Sequence, residues 1–141
     1  MNPRHPRLPV RTVALTVLAC LSMSSLAQAQ TATPPAAADA VRGANLYERR
    51  CSACHSIAVS RIGPLHRGVV GRRAGTVPGY AYSTALRTSG LTWTAANLDR
   101  FLTGPTRMVP GTKMGLSVAA PADRRDIIAY LATQRAPATR R

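Results

Sequence analysis

The sequence predicts an all-α domain of about four to five short helices, and three observations support this fold class. Apolar residues recur at the spacing of one helix face in several segments. No segment shows a convincing alternation of apolar and polar residues, which would be typical of a half-buried strand. Clusters of glycine and proline separate the helical segments and predict the loops between them.

Residues 1–29 are predicted to be an export signal peptide. Basic residues precede a mostly apolar run over 12–26, and residues 27–29 form an A-x-A cleavage site. The run is short and interrupted by serines, which favours cleavage over retention as a membrane anchor, and acylation at Cys20 is a further alternative. Residues 30–38 are predicted to be a flexible leader, and export places the mature chain in the periplasm.

The domain is predicted to span residues 39–135, with Asp39 capping a first helix that runs into a cysteine motif. Cys51 and Cys54 are separated by two residues and followed directly by His55. This C-x-x-C-H pattern attaches c-type haem. On a helix the two cysteines lie almost one turn apart, and the next residue can reach the iron from the proximal side.

Other uses of these cysteines are weaker predictions. Zinc requires about four nitrogen or sulfur ligands, whereas the motif offers three. A thioredoxin-like dithiol would be expected in a β-rich setting, and a structural disulfide here would close only a very short loop. We therefore expect one covalently bound haem c, with the helices wrapped around it.

The loop after His55 is rich in glycine and proline over 63–79, and it is predicted to wrap one edge of the haem. The carbonyl group at or before Pro64 is a candidate acceptor for the Nδ1 proton of His55. Such a bond would fix both the orientation and the basicity of the imidazole.

Three further helices are predicted after this loop. They span about 83–88 and 94–102, the latter ended by the Gly-Pro pair at 104–105, and a last helix begins at Pro121. Residues 136–141 are predicted to be a basic tail.

The irregular stretch predicted over 107–114 carries both methionines of the mature chain, Met108 and Met114. A thioether ligand raises the haem potential and leaves no open position for a substrate. Met114 is the better placed of the two, because it lies on a loop that a haem face could order. Ligation by His66 is a weaker alternative, because this residue follows His55 closely on the same side.

The charge of the chain restricts its partners. There are 19 Lys and Arg against 5 Asp and Glu, giving a formal net charge of +14. Such a protein is expected to bind acidic redox partners, and it could associate weakly with an anionic membrane surface. Nucleic acid is not expected, because the basic residues are scattered and aromatic residues are few. We assign Arg50, Arg107 and Lys113 to docking, because they lie beside the two ligand-bearing segments.

The chain resembles the class I cytochromes c, the mitochondrial protein and its soluble bacterial relatives, from about Asp39 to Gln134. The segments that carry the resemblance are Cys51-Ser52-Ala53-Cys54-His55, Gly63-Pro64, Gly71-Arg72, Pro78-Gly79-Tyr80-Ala81-Tyr82, Leu91-Thr92-Trp93, Pro110-Gly111-Thr112-Lys113-Met114 and Ile127-Ile128-Ala129-Tyr130-Leu131. Several motifs in the same order are far more specific than the haem motif alone.

The resemblance implies the cytochrome c fold and a monomeric one-electron carrier that is not an enzyme. The site residues it implies are Cys51 and Cys54 for the thioethers, His55 and Met114 as axial ligands, Pro64 as acceptor for His55, Arg72, Tyr82 and Trp93 for the buried propionate, and Thr112 for the Met114 loop. It also implies that Gly43 and Tyr47 cross Tyr130.

Some departures from the family pattern and two alternatives remain. Phe101 replaces a tyrosine and Leu86 an asparagine of the mitochondrial pattern, which removes polar groups near the haem, and the loop from His55 to Pro64 is shorter. The chain could instead be the haem subunit of an exported dehydrogenase complex. If Met114 is not a stable ligand, a haem peroxidase or ligand-binding protein is the other alternative.

Overall fold

The computed structural model describes residues 36–135, which form five α-helices. They are α1 (Ala40–Arg50), α2 (Thr84–Thr88), α3 (Ala95–Thr103), α4 (Pro105–Met108) and α5 (Pro121–Thr133). Within 36–135 the β pairing amounts to one isolated bridge between Arg73 and Thr92, so the all-α prediction is confirmed. The predicted signal peptide, the basic tail and most of the predicted leader lie outside the described residues. No helix within 36–135 is long and apolar enough to cross a membrane.

Side-chain caps fix where three of the helices begin. The Asp39 carboxylate accepts hydrogen bonds from the backbone N–H groups of Val41 and Arg42, both at 2.9 Å. Ser83 and Thr94 cap α2 and α3 in the same way through their hydroxyl groups. These caps supply acceptors for N–H groups that have no partner within the helix.

α1 ends earlier than predicted, so the cysteine motif does not continue the helix. Cys51 has a φ of −118°, which departs from the helical value, and a turn follows. In this turn the N–H groups of Cys54 and His55 donate to the carbonyl oxygen of Cys51 at 3.1 and 2.8 Å. The turn still brings the two cysteines and the histidine onto one short segment.

α4 is a second difference from the predicted elements. The sequence favours a break at the Gly-Pro pair and irregular structure after it, whereas Pro105 begins a new helix that lasts to Met108. Proline suits the first turn of a helix, because the N–H group it lacks would have no partner there. The irregular segment that carries Met114 therefore begins only after Met108.

The core is built where α1 crosses α5 and where α3 packs on α5. Its buried apolar side chains on these helices are Leu46, Tyr47, Leu98, Phe101, Leu102, Ile127, Ile128 and Leu131. Gly43 lies at the crossing, where the absence of a Cβ lets the backbone of α1 approach α5.

Ion pairs border the same crossing. The guanidinium group of Arg42 on α1 pairs with Asp123 and, at 2.6 Å, with Asp126 on α5. The Asp126 carboxylate also accepts the backbone N–H of Asp39 at 3.1 Å. Asp126 thus joins the start of α1 to α5 through two separate donors.

Candidate functional site

The two cysteines of the motif are both free thiols that follow directly from α1. Cys51 is buried and Cys54 is exposed. Burial raises the pKa of the Cys51 thiol to about 11, while the charge of Arg50 opposes this shift. Burial therefore favours the neutral thiol of Cys51 over the thiolate in this folded structure.

His55 is held in one orientation by its neighbours. Its Nδ1 donates to the carbonyl oxygen of Pro64 at 2.8 Å, which is the bond expected from the sequence. Since Nδ1 carries the proton, Nε2 keeps its lone pair for a metal. Burial lowers the pKa of His55, and the bond to Pro64 opposes that shift. Gly63 lies against the ring, and a Cβ at this position would overlap the imidazole.

His66 lies beside His55, at a position that sequence reasoning considered only as a weak candidate ligand. The two imidazole rings are stacked, with their centroids 4.1 Å apart and an interplanar angle of 19°. Burial lowers the pKa of His66 to about 3, with smaller contributions from His55 and Arg72. Because the rings lie face to face, His66 cannot bind an iron from the side opposite to His55 in this arrangement.

Arg72 and Trp93, predicted to bind a propionate, are brought together by backbone pairing. The Trp93 N–H donates to the Arg72 carbonyl, and Gly71 N–H donates to the Trp93 carbonyl, both at 2.9 Å. The guanidinium group of Arg72 donates to the carbonyl oxygens of Arg67 and Leu65, both at 2.8 Å. Two of its donors are therefore used on the loop that carries His66.

Tyr82, the third residue of this predicted group, is also buried. Burial raises the pKa of its hydroxyl, whereas a backbone bond to Val77 and the charge of Arg72 oppose the increase. Its aromatic ring contacts that of Tyr80, whose hydroxyl donates to the carbonyl of Ile62 at 2.5 Å. The tyrosines thus tie the second half of the loop back to the segment after the cysteine motif.

The Met114 segment is held by polar contacts at Thr112 and Lys113. The Met114 N–H donates to Oγ1 of Thr112 at 3.4 Å, and Nζ of Lys113 donates to the Ala81 carbonyl at 3.0 Å. Both Met108 and Met114 are partly buried against the core. Packing alone therefore does not distinguish the two thioethers as ligands.

Phe101 and Leu86, the two residues that depart from the mitochondrial pattern, both pack against apolar neighbours. Phe101 is buried and packs on Trp93, with ring centroids 4.9 Å apart. Leu86 is partly buried and packs against the core. Hydrophobic contacts replace the polar groups that the family pattern would place here.

The three basic residues assigned to docking differ in their surroundings. Arg50 lies 3.7 Å from Asp123, so part of its charge is offset. The guanidinium group of Arg107 lies against Gly104, and Lys113 is exposed beside Met114. Of the three, Lys113 is the residue that directly precedes the candidate ligand Met114 in the sequence.

The donor set fits a covalently bound haem. Two free thiols and an imidazole whose Nδ1 is already hydrogen-bonded are the groups that covalent attachment of haem uses, and a thioether on an irregular segment is available as a further ligand. Among residues 36–135 no group of three or more His, Cys, Asp or Glu side chains is arranged to hold a metal ion.

Comparison with known proteins gives one consistent result. The family model for cytochrome c matches residues 40–135. Cytochrome c2 of Rhodomicrobium vannielii is 42% identical over 118 residues, covering 81% of this chain and 94% of that protein. Cytochrome c of Euglena viridis is 48% identical over 98 residues, covering 67% and 96%. The solved structure of cytochrome cH from Methylobacterium extorquens matches with a TM-score of 0.65 and 45% identity, covering 67% of this chain and 98% of that one.

Proposed function

The chain belongs to the cytochrome c family, and on that premise we propose that it is an exported electron carrier whose haem iron is held by His55 and Met114. As a member of this family it carries one covalently bound haem c and transfers electrons; it is not an enzyme. The haem, when bound, supplies the one-electron couple. The protein's own residues hold it and restrict access to it.

The observation that carries the proposal is a hydrogen bond made by His55, the residue directly after the cysteine pair. Its Nδ1 donates to the Pro64 carbonyl at 2.8 Å. This bond selects the tautomer in which Nε2 is the free nitrogen and makes that nitrogen more basic. Thioethers formed by Cys51 and Cys54 would anchor the cofactor directly beside it. A protein that works in an open compartment benefits from such an anchor, because the cofactor cannot dissociate.

Met114 is proposed as the second ligand on the opposite side. Two permanent protein ligands leave no coordination position for a substrate, and they change little between the two oxidation states. A thioether and an apolar pocket both disfavour the more highly charged ferric state. We therefore expect a positive midpoint potential against the hydrogen electrode, and a clearly negative midpoint would contradict ligation by Met114.

The ligand assignment is tested by replacing each methionine separately with leucine. Met108→Leu is the matched control, because both side chains are partly buried against the same core. Met114→Leu should remove the near-infrared band of the iron–sulfur bond from the ferric spectrum and allow cyanide to bind readily. Met108→Leu should leave the spectrum of the unmodified protein. The reverse pattern would assign the ligand to Met108, and ready azide binding by the unmodified protein would favour a ligand-binding or peroxidase function.

Export to the periplasm and a partner with an acidic surface complete the proposal. The support for export is the arrangement of residues 1–29 in the sequence. The support for an acidic partner is the basic excess that remains once Arg4, Arg7 and Arg11 are removed with the signal peptide, 16 Lys and Arg against 5 Asp and Glu. Fractionation of cells that express the full chain, followed by mass determination of the mature protein, tests export. Recovery of the haem protein in the cytoplasm with its first 29 residues retained would contradict it.

A further inference from the structure

The His66 side chain occupies the space next to His55 in a fixed manner. Its ring lies 4.1 Å from the His55 ring at an angle of 19°. The backbone that carries it is anchored to the segment directly after His55, because His66 N–H and Arg67 N–H donate to the carbonyl oxygens of Ser56 and Ile57, both at 2.9 Å. The backbone that carries the His66 ring is therefore held in place by a short hydrogen-bonded loop.

A second ring supports His66 from the core. Tyr47 of α1 contacts it edge to face, with centroids 5.7 Å apart, and Tyr47 in turn contacts Tyr130 of α5 at 5.3 Å. Aromatic contacts thus run without interruption from the crossing of α1 and α5 to the imidazole of His55. The helix crossing can therefore restrict the position of the His66 ring.

Two contacts already restrict the His55 imidazole. The ring is attached through its Cβ–Cγ bond, and the hydrogen bond from Nδ1 to Pro64 limits rotation about that bond. The backbone of Gly63 packs against the ring, where even a Cβ would overlap it. The His66 ring stacked on the same imidazole is a third contact, and it restricts tilting of the ring plane.

If His66 served only to fill space, a histidine at this position would lower the stability of the folded state. Within the described residues its Nδ1 is buried without a hydrogen-bond partner. A buried polar group without a hydrogen-bond partner destabilises the folded state. A leucine side chain would fill a similar volume without burying an unpaired nitrogen. The property that the imidazole has and leucine lacks is a flat ring that can stack on His55.

We infer that His66 is a positioning residue for His55, whose stacked ring sets the plane in which the His55 imidazole faces the haem. This inference rests on the proposed function, in which His55 is an axial ligand. The plane of an axial imidazole determines how unpaired spin is distributed over the haem in the ferric state. The nuclear magnetic resonance shifts of the haem methyl groups report that distribution.

The test uses the full-length haem-loaded protein with three substitutions at one position. His66→Phe keeps a flat ring, whereas His66→Leu and His66→Gln remove it, one with an apolar and one with a polar side chain. We expect the spread of methyl shifts in the ferric protein to change in the Leu and Gln variants and to be retained in the Phe variant. Circular dichroism of each variant verifies folding, and either ringless variant that folds is sufficient for the comparison.

The inference is overturned if a folded ringless variant keeps the methyl shifts of the unmodified protein, or if His66→Phe changes them as much as His66→Leu does. A general loss of packing would produce the second result, because all three side chains differ from histidine. An unmodified protein whose spectrum lacks a histidine ligand would overturn the proposed function as well. A histidine-ligated protein with unchanged variants would overturn this inference alone.

Discussion

The backbone of α1 at Gly43 lies directly against the carbonyl group of Asp126 on α5. A Cβ built at Gly43 would overlap that carbonyl and would lie 3.0 Å from the Cβ of Tyr130. The neighbouring atoms belong largely to the backbone of α5, so they cannot move aside as a flexible side chain would. Glycine at this helical position is required by the crossing, although it costs about 1 kcal/mol of helix propensity relative to alanine.

Gly43→Ala is expected to destabilise the protein by about 1–3 kcal/mol, because overpacking at the crossing outweighs the gain in helix propensity. Chemical denaturation of the haem-loaded protein measures the free energy of unfolding. Gly115→Ala is the control, since no atom lies within 4 Å of a Cβ at Gly115, and its effect should stay within about 1 kcal/mol. Equal effects of the two substitutions would show that close packing at Gly43 does not determine stability.

Thr112→Val is expected to make the Met114 ligand easier to displace. The Thr112 hydroxyl accepts the Met114 N–H at 3.4 Å, which is long for a hydrogen bond. The loss should therefore be small, about 0.5 kcal/mol, or roughly a twofold higher affinity for imidazole as a competing ligand. Thr112→Ser keeps the hydroxyl and should bind imidazole as the unmodified protein does. If the Val and Ser variants bind imidazole equally, the hydroxyl does not hold the loop.

Asp126 is expected to make the stability of the folded protein depend on pH. A backbone hydrogen bond from Asp39 and the Arg42 guanidinium group lower the pKa of Asp126 below its ordinary value. A carboxylate with a lowered pKa stabilises the folded state above the unfolded-state pKa of about 3.9 and loses this effect as the pH falls through the folded-state value.

The measurement compares the thermal midpoints of the unmodified protein and of Asp126→Asn between pH 7 and pH 2. The unmodified protein should be more stable at pH 7, and the difference should shrink below about pH 3.9. Because both proteins carry the same haem ligands, loss of ligation in acid affects both. A difference that is constant over the whole pH range would contradict the assignment.

Lys113→Glu is expected to slow electron transfer to an acidic partner protein at low salt. Lys113 is exposed beside Met114, and charges of opposite sign accelerate the encounter of two proteins. Arg100→Glu makes the same change of net charge at an exposed position on α3 and serves as the control. Stopped-flow rates should fall more for Lys113→Glu, and the difference should disappear as salt screens the charges. Equal rates for the two variants would mean that net charge, and not a local surface, steers the encounter.

Much of the fold can be predicted from local features of the sequence, such as helix caps and the spacing of apolar residues. Asp39 caps α1 as expected, and the beginnings of α3 and α5 agree with the predicted helices to within a residue. The end of α1 was predicted incorrectly, because helical spacing of apolar residues continues past Arg50 while the backbone does not. The spacing of apolar side chains cannot predict the change in the backbone angle φ that ends the helix at Cys51.

Patterns within single segments did not reveal contacts between distant segments, and the crossing of Gly43 and Tyr47 with Tyr130 was expected only from the family resemblance. The bond from His55 to Pro64 was expected because a single short loop connects the two residues. The stacking of His66 on His55 depends on how that loop closes against Ser56, and the pairing of Arg42 with two aspartates depends on the helix crossing. A buried histidine with an unsatisfied nitrogen could have been identified only once its surroundings were known.

The contact between α1 and α5 brings together the first and the last helix of the domain, so its formation closes a loop that contains nearly all of the domain. The entropy lost on closing such a long loop grows with the logarithm of its length, and contacts between distant residues slow folding. A single backbone cleavage in the glycine-rich region between α1 and α2 would leave one of the two crossing helices on each fragment. Each fragment would then carry one half of a shared interface, and the two could reassemble without a peptide bond joining them.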